Sequence, residues 1–413
     1  MRRTLIILFS ILLFMALGIG AYALFFTPHA KVVVTSAPSG NVFPSVGGGG
    51  VGGANATGTL PTIVSSATST GAGTPSSTQP RLMKVSSGPV VPGIVVFDAT
   101  TTSASSTPAI IQYLSKQNGN IYSYTIASGA LARISNKTIP GIQSARWLSD
   151  GSLVYVRYFS HIKGASDIQT YALPSNGIGG FPLDQGLAGV STYKSNALLT
   201  VASGANGSSV IRAKTDASGA YTAFQTPLSS IIASFAGPHN YLFYTKSSAN
   251  LKGYAFLVRG KTGAVTQIAG PLTGLIALPN HAGTEVLISY TQPSGAMATE
   301  LVNTKKHTVI NLPIQTLADK CVWTADDSAL YCGVPTNAPT ASYPDEWYQG
   351  AVSFNDEIWK IDVVGRYAEP ILDFQQETGR PLDATALAVD PQNTVLSFVN
   401  KRDGSLWEYR LKP

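Results

Sequence analysis

The chain has 413 residues, of which 12% are charged and 44% hydrophobic, with 40 Gly, 25 Pro and a net charge of +6. The charged share is about half the ~25% of an ordinary soluble domain. The length excludes a single small module, and only two cysteines exclude a disulfide framework or a four-cysteine zinc site.

From the N-terminus, Leu5 to Phe26 is a run of 22 residues without a charge. As a helix rising about 1.5 Å per residue, it spans a ~30 Å hydrocarbon core. Arg2 and Arg3 precede it, and positive flanks stay cytoplasmic. Residues 1–31 are therefore expected to form a transmembrane signal anchor, with the rest of the chain extracytoplasmic. A cleaved signal peptide competes, because Ala21-Tyr22-Ala23 fits the small-x-small pattern. The apolar run through Leu24, Phe25 and Phe26 exceeds the usual h-region of about 7–15 residues and favours the anchor. Residues 32–80 are rich in Gly, Ser and Thr, and 35–80 carry no charge at all. Such a composition buries no core and reads as a flexible, disordered linker reaching roughly 35–40 Å.

From Arg81 to Pro413 the sequence repeats itself. The unit is an apolar strand, a tight polar turn and a second strand rich in aromatic and β-branched residues. The turns are Asp150-Gly151, Ser195-Asn196, His239-Asn240, Ala282-Gly283, Asp326-Asp327 and Gln392-Asn393, at steps of 45, 44, 43, 44 and 66 residues. Asp-Gly between strand-like runs predicts a two-residue hairpin with both central residues at positive φ. Alternating runs follow at Ile121–Ile126, Ile358–Val363 and Leu406–Leu411, and a short fourth strand at Leu131–Ser135. No long 3.6-residue period occurs, so helices should be scarce. Four strands every ~44 residues define an all-β propeller. Residues 81–413 suffice for seven blades, with six or eight as alternatives. The chain stops after a third strand, so residues 82–86 are expected to complete the last blade and close the ring.

Trp147-Leu148-Ser149-Asp150-Gly151 and Trp323-Thr324-Ala325-Asp326-Asp327 resemble the repeats of TolB-type and WD40-like bacterial propellers. More narrowly, Arg133–Pro140, Cys321–Trp323 with Tyr331-Cys332, Tyr343–Gly350 and Asp403–Trp407 resemble a family of uncharacterised membrane-anchored propellers from small-genome bacteria. The resemblance covers residues 81–413 and implies the fold. It transfers no catalytic residue, and residues 186–300 match the pattern poorly.

Cys321 and Cys332 stand five residues either side of the Asp326-Asp327 turn, opposite each other on paired strands. The spacing suits a cross-strand disulfide, with two buried thiols as the other reading. Among catalytic signatures, no Gly-x-Ser-x-Gly elbow occurs, and Arg259–Thr262 lacks the upstream glycine of a phosphate loop, Ala255 standing in its place. The five histidines are scattered, and neither a metal site nor a cofactor is expected. Adjacent basic pairs are limited to Arg2-Arg3, Lys305-Lys306 and Lys401-Arg402, so no nucleic-acid partner is expected either.

The last third departs from the repeat. Residues 81–299 carry a net +9, whereas residues 300–413 carry −6 and hold two long connections, 333–356 and 374–383. Both should emerge on one face of blade six, bringing together Asp345, Glu346, Trp347, Tyr348, Asp356, Glu377, Arg380 and Asp383. Long loops on rigid scaffolds often carry function, and Trp and Tyr beside charges suit interface anchors. The expected role is a non-catalytic scaffold binding an envelope or extracellular protein or glycan. A hydrolase or lyase using the loop carboxylates is the alternative. A cap packed onto the propeller, with Trp347 buried, is the structural alternative to a binding face.

Overall fold

The computed structural model describes residues 80–99, 108–162 and 165–412. The expected anchor and all but the last residue of the expected linker lie outside the described residues. Among the described residues, no helix is long and apolar enough to cross a membrane.

Antiparallel sheets succeed one another along the chain. Residues 95–133, 142–182, 187–226 and 321–373 form four-stranded sheets, each in simple up-and-down order. Residues 231–311 form a seven-stranded sheet. The last sheet takes three strands from residues 384–410 and a fourth from Leu82–Lys84 at the other end of the chain. Leu82 pairs with Tyr409 and Lys84 with Trp407, so the first described strand completes the last sheet. The sheets in chain order are called the first to the sixth below.

Apolar side chains on both faces of the strands explain how these sheets assemble. Val95, Leu114 and Ile121 of the first sheet pack on Trp147, Val154 and Leu173 of the second. Tyr155 and Leu198 join the second to the third. Leu199 and Val210 meet Phe235 and Phe243 of the fourth. The fourth folds back so that Leu242 and Leu257 meet Leu275 and Leu287 in one cluster that continues to Trp323 and Leu330 of the fifth. Ile358 and Leu372 of the fifth meet Phe398 and Trp407 of the sixth. Val395 and Leu406 of the sixth return to Val96 and Ile111 of the first. Face-to-face packing that comes back to its starting sheet is the geometry of a β-propeller.

The hairpin turns differ in detail from the sequence expectation. A two-residue turn needs positive φ at both centres, yet here only the second residue adopts it: Gly151 at 69° and Asp327 at 60°. The first aspartate instead bonds forward. Asp150 Oδ1 accepts from the Ser152 N–H at 3.0 Å and hydroxyl at 2.7 Å. Asp216 with Ser218, Asp326 with Ser328, and Asp403 with Ser405 repeat the arrangement. This Asp-x-Ser device widens the turn because the carboxylate supplies the acceptor that a tighter backbone turn would. The wider loop is still symmetric about its centre, so Cys321 lies opposite Cys332, and the two sulfurs are bonded at 2.07 Å.

Candidate functional site

Strand Ala329–Pro335 runs three residues further than the sequence suggests, so the long connection in the fifth sheet is 336–355. The Thr336 N–H donates to the Asn355 carbonyl at 2.8 Å and closes its base. Within it lies α1 (Asp345–Gln349), which Pro344 precedes and Gly350 ends in the left-handed region at φ 78°. Acidic residues in the first turn and glycine after the last suit a short helix. This connection is a strap over neighbouring sheets. Asp345 Oδ2 accepts from the Ala249 N–H at 3.1 Å, and the Tyr343 carbonyl accepts from Thr291 Oγ1 at 3.1 Å. From the sixth sheet, Arg402 Nη2 donates to the Phe354 carbonyl at 3.1 Å and to Asn355 Oδ1 at 2.6 Å.

Under the strap lies a buried ionic cluster. Lys320 Nζ is 2.8 Å from Asp356 Oδ2, 2.5 Å from Asp383 Oδ1 and 2.8 Å from the Ala384 carbonyl, with all three side chains fully buried. Asp383 Oδ2 also accepts from Trp347 Nε1 at 3.0 Å and from the Phe354 N–H at 2.9 Å. The Trp347 ring stacks on Phe354 at 6.0 Å and lies 5.0 Å from both Lys320 Nζ and Lys401 Nζ. Gly333 permits this packing, since a Cβ there would sit 3.0 Å from Asp356 Oδ2 and 3.2 Å from the Ala384 Cβ. Burial pushes the Asp356 carboxyl up to about 6, with Lys320 opposing and Asp383 reinforcing.

A second polar group involves Tyr348 of the strap. The Tyr348 hydroxyl donates to Asp319 Oδ2. Arg146, on inner strand Ile142–Trp147 of the second sheet, acts electrostatically on Asp319 of the fifth and on Tyr244 of the fourth. The second sheet packs on the first and the third, so Arg146 acts on groups of sheets that its own does not pack against. Arg146, Asp319 and Tyr348 remain exposed to solvent. Surrounding protein nonetheless depresses the Arg146 guanidinium and raises the Asp319 carboxyl, where Tyr348 and Arg146 work against the rise. Elsewhere in the propeller, Phe97, Asp98, Ser149, Asp150 and Pro391 line a cavity of about 460 Å³.

The side chains expected to share one face are divided between interior and surface. Trp347, Asp356 and Asp383 are buried and offer no surface to a ligand. Asp345 and Glu346 are half-buried, the former occupied by Ala249. Tyr348 is 44% exposed. Glu377, on α2 (Phe374–Thr378), and Arg380 are exposed, with Arg380 lying 5.5 Å from the Trp407 ring. Sequence reasoning missed Lys320, Asp319 and Arg146. No periodic signal marks a lysine whose partner carboxylate lies 63 positions downstream. Among the described residues, no group of three or more His, Cys, Asp or Glu could hold a metal ion.

The raised carboxyls predict an acid-shifted stability optimum. Burial also lifts Glu408 to about 7, against the pull of Arg410. The folded chain therefore takes up protons before the unfolded chain as pH falls through 7 and 6, and stability rises down to about pH 5. Asp326, held near 2 by the Thr324 and Ser328 hydrogen bonds, and the lowered Asp150, Asp327 and Asp403 act oppositely. Their contribution is lost as pH drops below about 4. Urea midpoints measured from pH 3 to 8 should peak near pH 4–5; a steady climb from pH 5 to 8 would refute the assignment.

No protein-family model matches the chain, and no curated protein matches its sequence. Its fold is similar to an oligogalacturonate lyase from Vibrio parahaemolyticus, at TM-score 0.55 and 9% identity, over 82% of this chain and 95% of that one. It is also similar to hydrazine synthase from Kuenenia stuttgartiensis, at TM-score 0.51 and 10% identity, over 78% of this chain and 96% of that one. The β-propeller domain of the Trilobed protease from Pyrococcus furiosus aligns at TM-score 0.47 and 9% identity, over 77% and 96% of the two chains. At such identities the likeness is one of fold alone.

Proposed function

We propose that this chain is a seven-bladed propeller, anchored outside the membrane by its N-terminal helix, that acts as a non-catalytic scaffold for an envelope or extracellular protein or glycan. The blade count follows if the seven-stranded sheet is two blades sharing strand Val265–Pro279 as the outer strand of one and the inner strand of the next. The carrying observation is the strap. It is bonded to both the fourth and the sixth sheets, yet it leaves Tyr348 exposed. An anchored loop with an exposed aromatic suits recognition, because little order remains to be imposed on binding.

A hydrolase or lyase built on the strap carboxylates has less support. General acid–base work needs two carboxylates facing a reachable substrate. Asp356 and Asp383 face Lys320 instead, sealed from solvent. The lyase activity named for the Vibrio protein belongs to that protein.

A photo-crosslinking residue in place of Tyr348, in the full-length chain in intact cells, tests the reading. It should capture a discrete partner that the same probe at the exposed Tyr367 does not. Identical patterns at both positions would refute a strap-directed scaffold. Recovery of the mature chain from the soluble fraction, beginning at Leu24, would refute the anchor.

A further inference from the structure

We propose that Lys320 and Asp383 condense within the folded chain to an amide bond, which joins the fifth and sixth sheets covalently beneath the strap, with Asp356 carrying the protons. The reaction is of the chain upon itself, so it needs no reachable substrate and does not depend on what the strap surface binds.

Lys320 directly precedes strand Cys321–Trp323 of the fifth sheet, and Asp383 directly precedes strand Ala384–Val389 of the sixth. Packing of the two sheets sets an amine on a carboxyl, with Nζ 2.5 Å from Asp383 Oδ1 and both side chains fully buried. The other Asp383 oxygen, Oδ2, accepts from Trp347 Nε1 at 3.0 Å and from the Phe354 N–H at 2.9 Å. Two donors thus stand where negative charge develops when Nζ attacks Cγ. Asp356 Oδ2 touches the same nitrogen at 2.8 Å, and Asp356 Oδ1 is buried without a hydrogen-bond partner. The buried Trp347 and Phe354 rings, each 5.0 Å from Nζ, wall the centre and keep bulk water out. The contrast is Lys360 with Asp362, a partly exposed pair 4.0 Å apart.

The chemistry balances without a co-reactant. Lys320 brings three protons on Nζ. One passes by way of Asp356 to Asp383 Oδ1, leaving an amine beside a carboxylic acid. The Nζ lone pair attacks Asp383 Cγ, and the carbonyl pair moves onto Oδ2. A second proton follows the first to Oδ1. The Cγ–Oδ1 bond breaks, its pair departs with a water molecule, and the Oδ2 pair re-forms the carbonyl. The third proton stays on the amide nitrogen, and Asp356 ends as it began. Burial lifts Asp356 to about 6, which suits a group that both takes and gives protons near neutral pH. Contact in a fixed geometry supplies the effective concentration that condensation in water lacks. Condensation also removes one buried cation and one buried anion, together with the desolvation cost of each.

Tryptic mass mapping of the full-length chain, reduced and denatured, tests this directly. Trypsin does not cut after an acylated lysine or between Arg380 and Pro381. The native chain should therefore yield one branched peptide, 307–360 joined to 367–401, lighter by one water than the sum of its two parts. Fragmentation should place the branch at Lys320 and Asp383. Lys320→Arg should give only linear peptides at full mass. Asp356→Asn keeps both reacting groups and should condense at least ~100-fold more slowly, read as the branched fraction at matched times after synthesis; Asp356→Glu should restore part of the rate. Cleavage of the native chain after Lys320 with a linear 367–401 at full mass would overturn the proposal, and this digest does not depend on any variant folding. A branch closing on Asp356 within 307–360, or an Asp356→Asn chain that folds and condenses as fast as the native one, would overturn the assigned chemistry. Loss of stability in a Lys320 variant follows from the stranded charges alone, so mass is what decides. Crosslinking from position 348 reports on the strap surface independently of these outcomes.

Discussion

Replacing Lys320 with methionine should lower the unfolding free energy by about 3–5 kcal/mol at neutral pH. The substitution keeps most of the side chain's bulk and removes the cation. Asp356 and Asp383 are then left facing each other out of solvent, with only the more distant Lys401 acting on Asp383, whereas the native Nζ lies within 2.8 Å of both. The cost of breaking a buried ion cluster comes from the stranded charges and exceeds the net worth of the intact pair. The loss should therefore shrink towards pH 5, where Asp356 is protonated, and the double variant Lys320→Met with Asp356→Asn should recover part of it. Urea unfolding of the three proteins at pH 5 and 8 provides the check. A Lys320→Met loss below 1 kcal/mol, or one independent of pH, would show that the cluster is not held by charge.

Trp347→Ala is the second large effect, at about 3–5 kcal/mol for a buried indole. The side chain is 3% exposed, stacked on Phe354 and bonded through Nε1 to Asp383. Its loss removes packing and a carboxylate's donor together. Because the strap is one connection, the change should appear first as local opening. Limited proteolysis should cut within 336–355 at concentrations that leave the native chain whole. Trp347→Phe keeps much of the stacking and loses only the donor, so it should cost about 1–3 kcal/mol. A strap as protease-resistant in Trp347→Ala as in the native chain would mean that Arg402 and Asp345 hold it unaided.

The legible part of this fold was its repetition. Five hairpin turns at steps of 43–45 residues announced a repeated sheet unit, and the symmetric placement of Cys321 and Cys332 about one turn fixed their register. The short partner of the last sheet was also visible, because an unfinished blade at the C-terminus needs a strand from elsewhere. The continuous strand Val265–Pro279 was not visible. It follows the same turn spacing as separate strands would, and only its pairing with Lys252–Arg259 up to residue 273 and with Glu285–Thr291 from residue 273 onward distinguishes it. The strap's position was readable as a break in period, but its burial was not. Whether Trp347 faces water depends on a lysine and an aspartate elsewhere in sequence that meet it only after the sheets close. Arg146, Tyr244 and Asp319 were hidden for the same reason, since they share no local pattern.

The joint between Leu82–Lys84 and the C-terminal strand has a mechanical meaning. Any pull transmitted through the preceding chain enters the propeller at the seam that completes its circle. Three paired residues bear it first, backed by the Arg81 guanidinium, which donates to the carbonyls of Arg410 and Leu411 and covers the Tyr409 ring. Tension sufficient to peel this strip would uncover an edge of the sixth sheet while leaving the other sheets intact. The closure is thus also the molecule's natural point of rupture under force.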